Sequence, residues 1–127
     1  ALINAGIGQC NLIKVSSILP RNCVETPPVE LEPGTLTFTV LSRSDGVKGE
    51  EIASGIGCAV MNKEGYGLVA EDCINRLKEE AGSEVERKLR EMASSRGMGV
   101  KEIRIETESL RVDSEFGCII AALVYLF

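Results

Sequence analysis

Histidine is absent from this chain of 127 residues. That single gap removes Ser-His-Asp and Cys-His catalysis, together with every His-ligated metal site. Any proton chemistry falls to Asp, Glu, Lys, Tyr or Cys. Tryptophan is absent as well, and aromatic residues make up only 4% of the chain. The core must therefore be aliphatic, and a stacking platform for nucleic-acid bases lacks the rings to build it. Basic residues are in deficit, with 14 Lys and Arg against 19 Asp and Glu and a formal net charge of -5. A phosphate-binding surface needs the opposite excess, which argues against nucleic acid as a partner and for cationic ligands. The longest apolar run, Cys118 to Phe127, is too short to span a bilayer, and no signal peptide is visible, so no membrane partner is expected. The five cysteines (Cys10, Cys23, Cys58, Cys73, Cys118) form no CxxC pair and no zinc-like spacing. They read as reduced and mostly buried thiols of a cytoplasmic protein. The chain starts at Ala1 without Met, so residues upstream of it are expected.

What is present is an ordinary globular composition, 44% hydrophobic and 26% charged, at a length that suits one domain over residues 1–127. Gly6-Ile7-Gly8-Gln9-Cys10-Asn11 begins like a dinucleotide fingerprint, but Asn11 stands where the third glycine belongs and a strand follows. A tight turn is the better reading. That strand is expected over Asn11 to Leu19. All four prolines fall between Pro20 and Pro33, which makes this segment a surface loop. Thr35 to Ser42 alternates apolar and polar residues, as a half-buried strand does, and Ser44-Asp45-Gly46 suits a turn after it. Further strands are expected at Glu51 to Met61 and Tyr66 to Ala70, separated by a turn at Asn62 to Gly65. Ser83-Glu84-Val85-Glu86 reads as a capping box that opens a helix. Its apolar stripe is Val85, Leu89, Met92 and Ala93, and its end lies near Gly97 or Gly99. Ile103 to Val112 suits a half-buried strand, and Cys118 to Phe127 a central one covered on both faces. Strands, a helix, then strands again give an α+β fold with mixed or antiparallel sheets.

Two Ser-Ser pairs occur, and Ser94-Ser95 suits the solvated end of the helix. Ser16-Ser17 invites a chemical reading, because a serine hydroxyl can attack the preceding carbonyl where the backbone is held strained. Residues 1–20, ALINAGIGQCNLIKVSSILP, closely resemble the self-cleavage region of the pyruvoyl-dependent arginine decarboxylases, with their NAGIGxxNLI(R/K)(I/V)SSI(M/L)P pattern. The resemblance continues through Pro33-Gly34, Gly49-Glu50, Gly67-Leu68-Val69-Ala70-Glu71, Arg90-Glu91-Met92-Ala93, Phe116-Gly117-Cys118 and Ala121-Ala122. It covers essentially the whole chain.

The resemblance implies a four-layer α/β/β/α sandwich, assembled as a homotrimer of cleaved protomers with active sites between neighbours. It implies that the Ser17 hydroxyl attacks the Ser16 carbonyl and splits the chain into residues 1–16, the β chain, and 17–127, the α chain. Ser17 would then become a covalent pyruvoyl group, with no metal and no pyridoxal phosphate. Decarboxylating an α-amino acid leaves a carbanion that no ordinary side chain can delocalise, and a pyruvoyl carbonyl joined to the substrate amine can. Glu71 matches the position that protonates Cα after carbon dioxide leaves, and burial against Leu68 and Val69 would favour its acid form. Asn11 matches a residue near the cleavage site whose amide can contact the developing oxyanion or the pyruvoyl oxygen; a turn asparagine bonding backbone is the other reading. Chains of the family carry a few dozen residues before the position of Ala1, among them an acid that helps hold the guanidinium. The implied activity is conversion of arginine to agmatine and carbon dioxide for polyamine biosynthesis, in the cytoplasm. Three alternatives stand beside it: the same cofactor acting on another amino acid, a non-processing paralog that binds a cationic metabolite, and a structural domain without a small-molecule site.

Overall fold

The computed structural model describes residues 1–62, 65–74 and 77–127. Its elements run β1 (Asn11–Lys14), β2 (Ile18–Leu19), β3 (Leu36–Val47), β4 (Glu51–Met61), β5 (Gly67–Ile74), α1 (Lys78–Ser95), β6 (Val100–Arg111) and β7 (Phe116–Tyr125). They form one sheet of order β1-β3-β7 and a second of order β2-β5-β4-β6. The β1-β3 pair is parallel and the other pairs are antiparallel.

Strand alternation gives the four-stranded sheet a different task on each face. Leu68 and Ala70 of β5, with Ala59 and Met61 of β4, pack against Val85, Leu89 and Ala93 of α1. Val69 and Ile56 turn the other way, to Leu19, Val40 and the margin formed by Ala121, Leu123 and Tyr125. The result is an α+β sandwich of the expected type, and the described residues supply three layers: helix, four-stranded sheet, three-stranded sheet. Two buried serines stitch the sheets together. The Ser42 hydroxyl on β3 donates to the Asp72 carbonyl on β5 at 2.5 Å, and the Ser54 hydroxyl on β4 donates to the Ile119 carbonyl on β7 at 3.0 Å. Each satisfies a main-chain acceptor that sheet stacking would otherwise seal from water.

The helix begins one and a half turns earlier than the capping-box reading places it. Leu77 is the N-cap with no side-chain cap bond, and Ser83 sits inside the helix, its hydroxyl donating to the Glu79 carbonyl at 3.0 Å. The apolar stripe explains the earlier start, since it includes Ala81, fully buried a turn before Val85. The C-terminus falls where glycine predicts it. Gly97 has φ +65°, and the Met98 and Gly97 N–H groups donate to the Ala93 and Ser94 carbonyls, a Schellman ending.

Other expectations need correction. Strand β3 runs through Ser44-Asp45-Gly46, and the chain reverses at Gly49 instead, where φ is +92°. Gly46 serves close packing, since a Cβ there would lie 2.8 Å from Ile52. Among the described residues β7 is an edge strand paired to β3 alone, not a central one, and beyond Phe116 its residues are half-buried on both faces. None of the five free cysteines is buried, and Cys23 and Cys73 are exposed. The turn expected at Asn62 to Gly65 falls partly on Lys63 and Glu64, outside the described residues. The glycine-rich start is a set of tight turns, with the Ile7 N–H donating to the Leu2 carbonyl at 3.1 Å.

Candidate active site

The strand expected over Asn11 to Leu19 is broken at Val15 to Ser17, where the chain leaves one sheet and enters the other. β1 ends against β3, with the Val15 N–H donating to the Thr39 carbonyl at 2.9 Å. β2 then pairs Ile18 with Leu68 and Leu19 with Gly67. Gly67 lets this approach happen, because a Cβ there would lie 2.6 Å from the Ala59 carbonyl and 3.0 Å from Leu19.

At the crossing, Ser17 has φ +48°, a left-handed conformation that costs a non-glycine residue about 1–2 kcal/mol. The Ile18 N–H donates to the Ser16 carbonyl at 2.8 Å, closing a γ-turn around Ser17, and the Val69 N–H donates to the Ser17 carbonyl at 2.7 Å. The serine pair is thus strained, and the main chain holds it on both sides.

Past Val69 the outer edge of β5 has no further β2 residue beside it, and a cleft of about 510 Å³ opens there. It is lined by Ser17, by Val69 to Glu71 of β5, and by Lys88, Glu91, Met92 and Ser95 of α1. The helix residues recur at three- and four-residue spacing, one face of α1. Lys88 fixes this face to the strand: its ammonium donates to the Glu71 carbonyl at 2.9 Å and to Asp72 Oδ1 at 2.7 Å. Asp72 is 9% exposed, and its second oxygen is buried without a hydrogen-bond partner among the described residues. Glu91 accepts from Arg87 at 2.6 Å on the rim.

Of the residues singled out in the sequence, Ser17 and Glu71 share this cleft, 54 positions apart in the chain. Ser16 is exposed beside them. Asn11 lies elsewhere: its amide donates to the Gly34 carbonyl at 2.9 Å, tying β1 to the end of the proline-rich loop. Leu68 and Val69 do not bury Glu71, because their own side chains go to the two cores and the Glu71 side chain is left exposed. Lys88, Asp72 and the Ile18 N–H were not foreseen. Lys88 falls within the helix under either start, but only the docking of α1 on the sheet shows that its ammonium reaches β5, and a main-chain donor leaves no mark in sequence.

The stacking of helix, four-stranded sheet and three-stranded sheet around this crossing is consistent with a sandwich of the pyruvoyl-dependent decarboxylase type. Comparison with known proteins makes the assignment specific. The family model described as pyruvoyl-dependent arginine decarboxylase (PvlArgDC) matches residues 1–127. A pyruvoyl-dependent arginine decarboxylase of Methanothermobacter thermautotrophicus is 43% identical over 129 residues, covering 99% of this chain and 83% of the relative. One from Methanopyrus kandleri is 35% identical over 126 residues, covering 98% and 82%. One from Methanococcus vannielii is 36% identical over 129 residues, covering 96% and 75%. The chain belongs to the pyruvoyl-dependent arginine decarboxylase family.

Proposed function

We propose that this chain cleaves itself between Ser16 and Ser17 and then decarboxylates arginine to agmatine and carbon dioxide, a step of polyamine synthesis in the cytoplasm. The observation that carries the reading is the γ-turn at Ser17, opening onto a cleft that also holds Glu71.

The first step is an acyl shift. Ser17 Oγ bonds to the Ser16 carbonyl carbon, the peptide C–N bond breaks, and an ester and a free Ser17 amine result. The negative charge that develops on the Ser16 oxygen meets the Ile18 N–H already donating to it at 2.8 Å. This main-chain donor takes the part that the sequence offered to Asn11, whose amide is engaged at Gly34. Breaking the strained left-handed turn favours the shift, since the cleaved chain no longer has to hold φ +48°. Loss of the Ser17 Cα proton and of the Ser16 carboxylate then leaves a dehydroalanine, and water replaces its nitrogen as ammonia. The products are residues 1–16 and a 17–127 chain that begins with pyruvoyl.

Residue 17 suits that group. Its carbonyl is already fixed by Val69, and its side chain faces a cleft with room for a substrate. A pyruvoyl group held at residue 17 would supply an electrophilic carbonyl for the substrate amine and an electron sink for the charge left at Cα. Glu71 delivers the proton to Cα. Lys88 holds the main chain of Glu71 in place through its bond to the Glu71 carbonyl. Two carboxylates, Glu71 and Glu91, line the cleft against one ammonium, a balance that favours a cationic substrate. The protomers form a homotrimer through surfaces that include β7, whose free edge and half-buried apolar faces need a partner.

The test is release of carbon dioxide and agmatine from arginine by the purified chain and two variants. Ser17→Ala stays uncleaved and inactive. Glu71→Gln cleaves but loses kcat by about a hundredfold or more, the usual worth of a placed proton donor. A cleaved wild-type chain that turns over another amino acid in preference to arginine overturns the substrate assignment. An uncleaved chain that binds arginine without turnover leaves a non-processing binder.

A further inference from the structure

Self-cleavage creates a mechanical problem at the reactive end, and the inference that follows rests on the functional reading above. Residue 17 becomes a chain terminus, yet the ketone formed at its Cα must stay in register with Glu71 across the cleft. The strand that carries it is two residues long. Its pairing to β5 is brief, and the Ile18 side chain is 42% exposed, so packing at that residue adds little. A terminus of this kind frays unless something ties it down.

The Val69 N–H holds the residue 17 carbonyl from β5 at 2.7 Å, and a second tie comes from the opposite sheet. Tyr125, the last residue of β7, donates its hydroxyl to the Ile18 carbonyl at 3.1 Å, across 107 positions of chain. Its ring packs at the margin of the inter-sheet core beside Leu19, Val40, Ile56 and Val69, which sets the ring and aims the hydroxyl. The Ile18 carbonyl belongs to the Ile18–Leu19 peptide unit, the second after the residue that becomes pyruvoyl. Before cleavage the crossing segment Val15 to Ser17 joins the two sheets covalently. After cleavage residue 16 stays with β1, and the Tyr125 bond still spans from the three-stranded sheet to the new terminus. Burial raises the Tyr125 pKa above its ordinary value of 10.0, with the neighbouring Cys23 and Cys58 thiols acting in the same direction. The hydroxyl therefore remains a proton donor through the neutral and mildly alkaline range.

We propose that Tyr125 is a positioning residue for the reaction, anchoring the new N-terminus of the α chain by its hydrogen bond to the Ile18 carbonyl so that the reactive carbonyl stays aligned with Glu71. It touches neither substrate nor reacting atoms. Its contribution is geometric, and small displacements of a reacting group are costly to rate.

The experiment compares the purified full chain with Tyr125→Phe, which keeps the ring, and with Tyr66→Phe, which removes a hydroxyl that donates to the Met98 sulfur at 3.7 Å. Pyruvoyl content is titrated by mass so that kcat is expressed per reactive group. In Tyr125→Phe the chain cleaves and keeps its melting temperature within a few degrees, kcat falls about fivefold as expected for one neutral hydrogen bond, and Tyr66→Phe behaves as wild type. Hydrogen exchange supplies the readout that a merely structural role would not move. The peptide beginning at residue 17 exchanges faster in Tyr125→Phe, while peptides of α1 and β4 are unchanged. Wild-type kcat per pyruvoyl with unaltered exchange at that peptide overturns the proposal, as does a variant that only cleaves more slowly. A wild-type chain that neither cleaves nor decarboxylates overturns the underlying reading and this proposal with it; an active wild type with an unaffected Tyr125→Phe overturns this proposal alone.

Discussion

At the scale of single residues, Ser17 and Glu71 illustrate what a motif conveys and what it omits. The motif marks the pair, but the strain at Ser17 is conformational: φ +48° and two main-chain bonds that no residue type encodes. The amide of Asn11, also a motif residue, donates to the Gly34 carbonyl at the end of the proline-rich loop, a contact that the motif alone does not reveal. The thiols give a check on the residue-scale description. Burial raises the Cys58 and Cys118 pKa values above the ordinary 9.0, with the Asp45 carboxylate also disfavouring the Cys118 thiolate. Brief alkylation at neutral pH, read by peptide mass, should label the exposed Cys23 and Cys73 first and Cys58 and Cys118 slowly. The sign for stability follows by linkage. A thiol pKa raised in the folded chain contributes stability that is present below pH 9 and is lost as the pH rises through the raised value, so melting temperature should decline on the alkaline side.

At the scale of elements, the docking of α1 on the four-stranded sheet shapes the cleft, and two substitutions test it. A Cβ on Gly57 would lie 2.6 Å from Val85 and 3.1 Å from the Arg104 carbonyl. At Gly55 the nearest atoms are 3.1 and 3.3 Å away and are side-chain methyls. Gly57→Ala should cost about 1–3 kcal/mol by overpacking and Gly55→Ala distinctly less, measured by urea denaturation. Lys88→Met leaves the buried Asp72 carboxylate without its cation. The loss should be about 1–3 kcal/mol, below that of a fully buried pair because solvent reaches Lys88, and Lys88→Arg should restore part of it. Much of this layer was legible in sequence: the stripe Val85, Leu89 and Ala93, the glycine stop at Gly97, and the strand pattern of β4. The helix start was not, because Ser83 and Glu86 mimic a cap at a point where the stripe already runs back to Ala81. The buried Ser42 and Ser54 were equally silent, since only sheet stacking reveals which carbonyls they must satisfy.

At the scale of the whole molecule, the sandwich places the chain crossing between sheets beside the open edge of β5, and the site exists because β2 is too short to cover that edge. The α+β class was readable from the order of elements. The edge position of β7 was not, because an apolar run reads the same whether the strand is central or at the edge of its sheet. Light scattering on the eluted protein should give three times the 13.7 kDa mass of the chain. Replacing two β7 side chains that are half-buried in the single chain, Ile120→Lys and Ala122→Lys, should shift that mass toward one protomer. The central claim, that Ser17 is the precursor of the reactive group, is tested most directly by intact mass under denaturing conditions. The account predicts two species, residues 1–16 and a 17–127 chain lighter by one ammonia that gains mass when reduced with borohydride in the presence of an amine. A single mass corresponding to the uncleaved chain, unchanged after prolonged incubation, would contradict it.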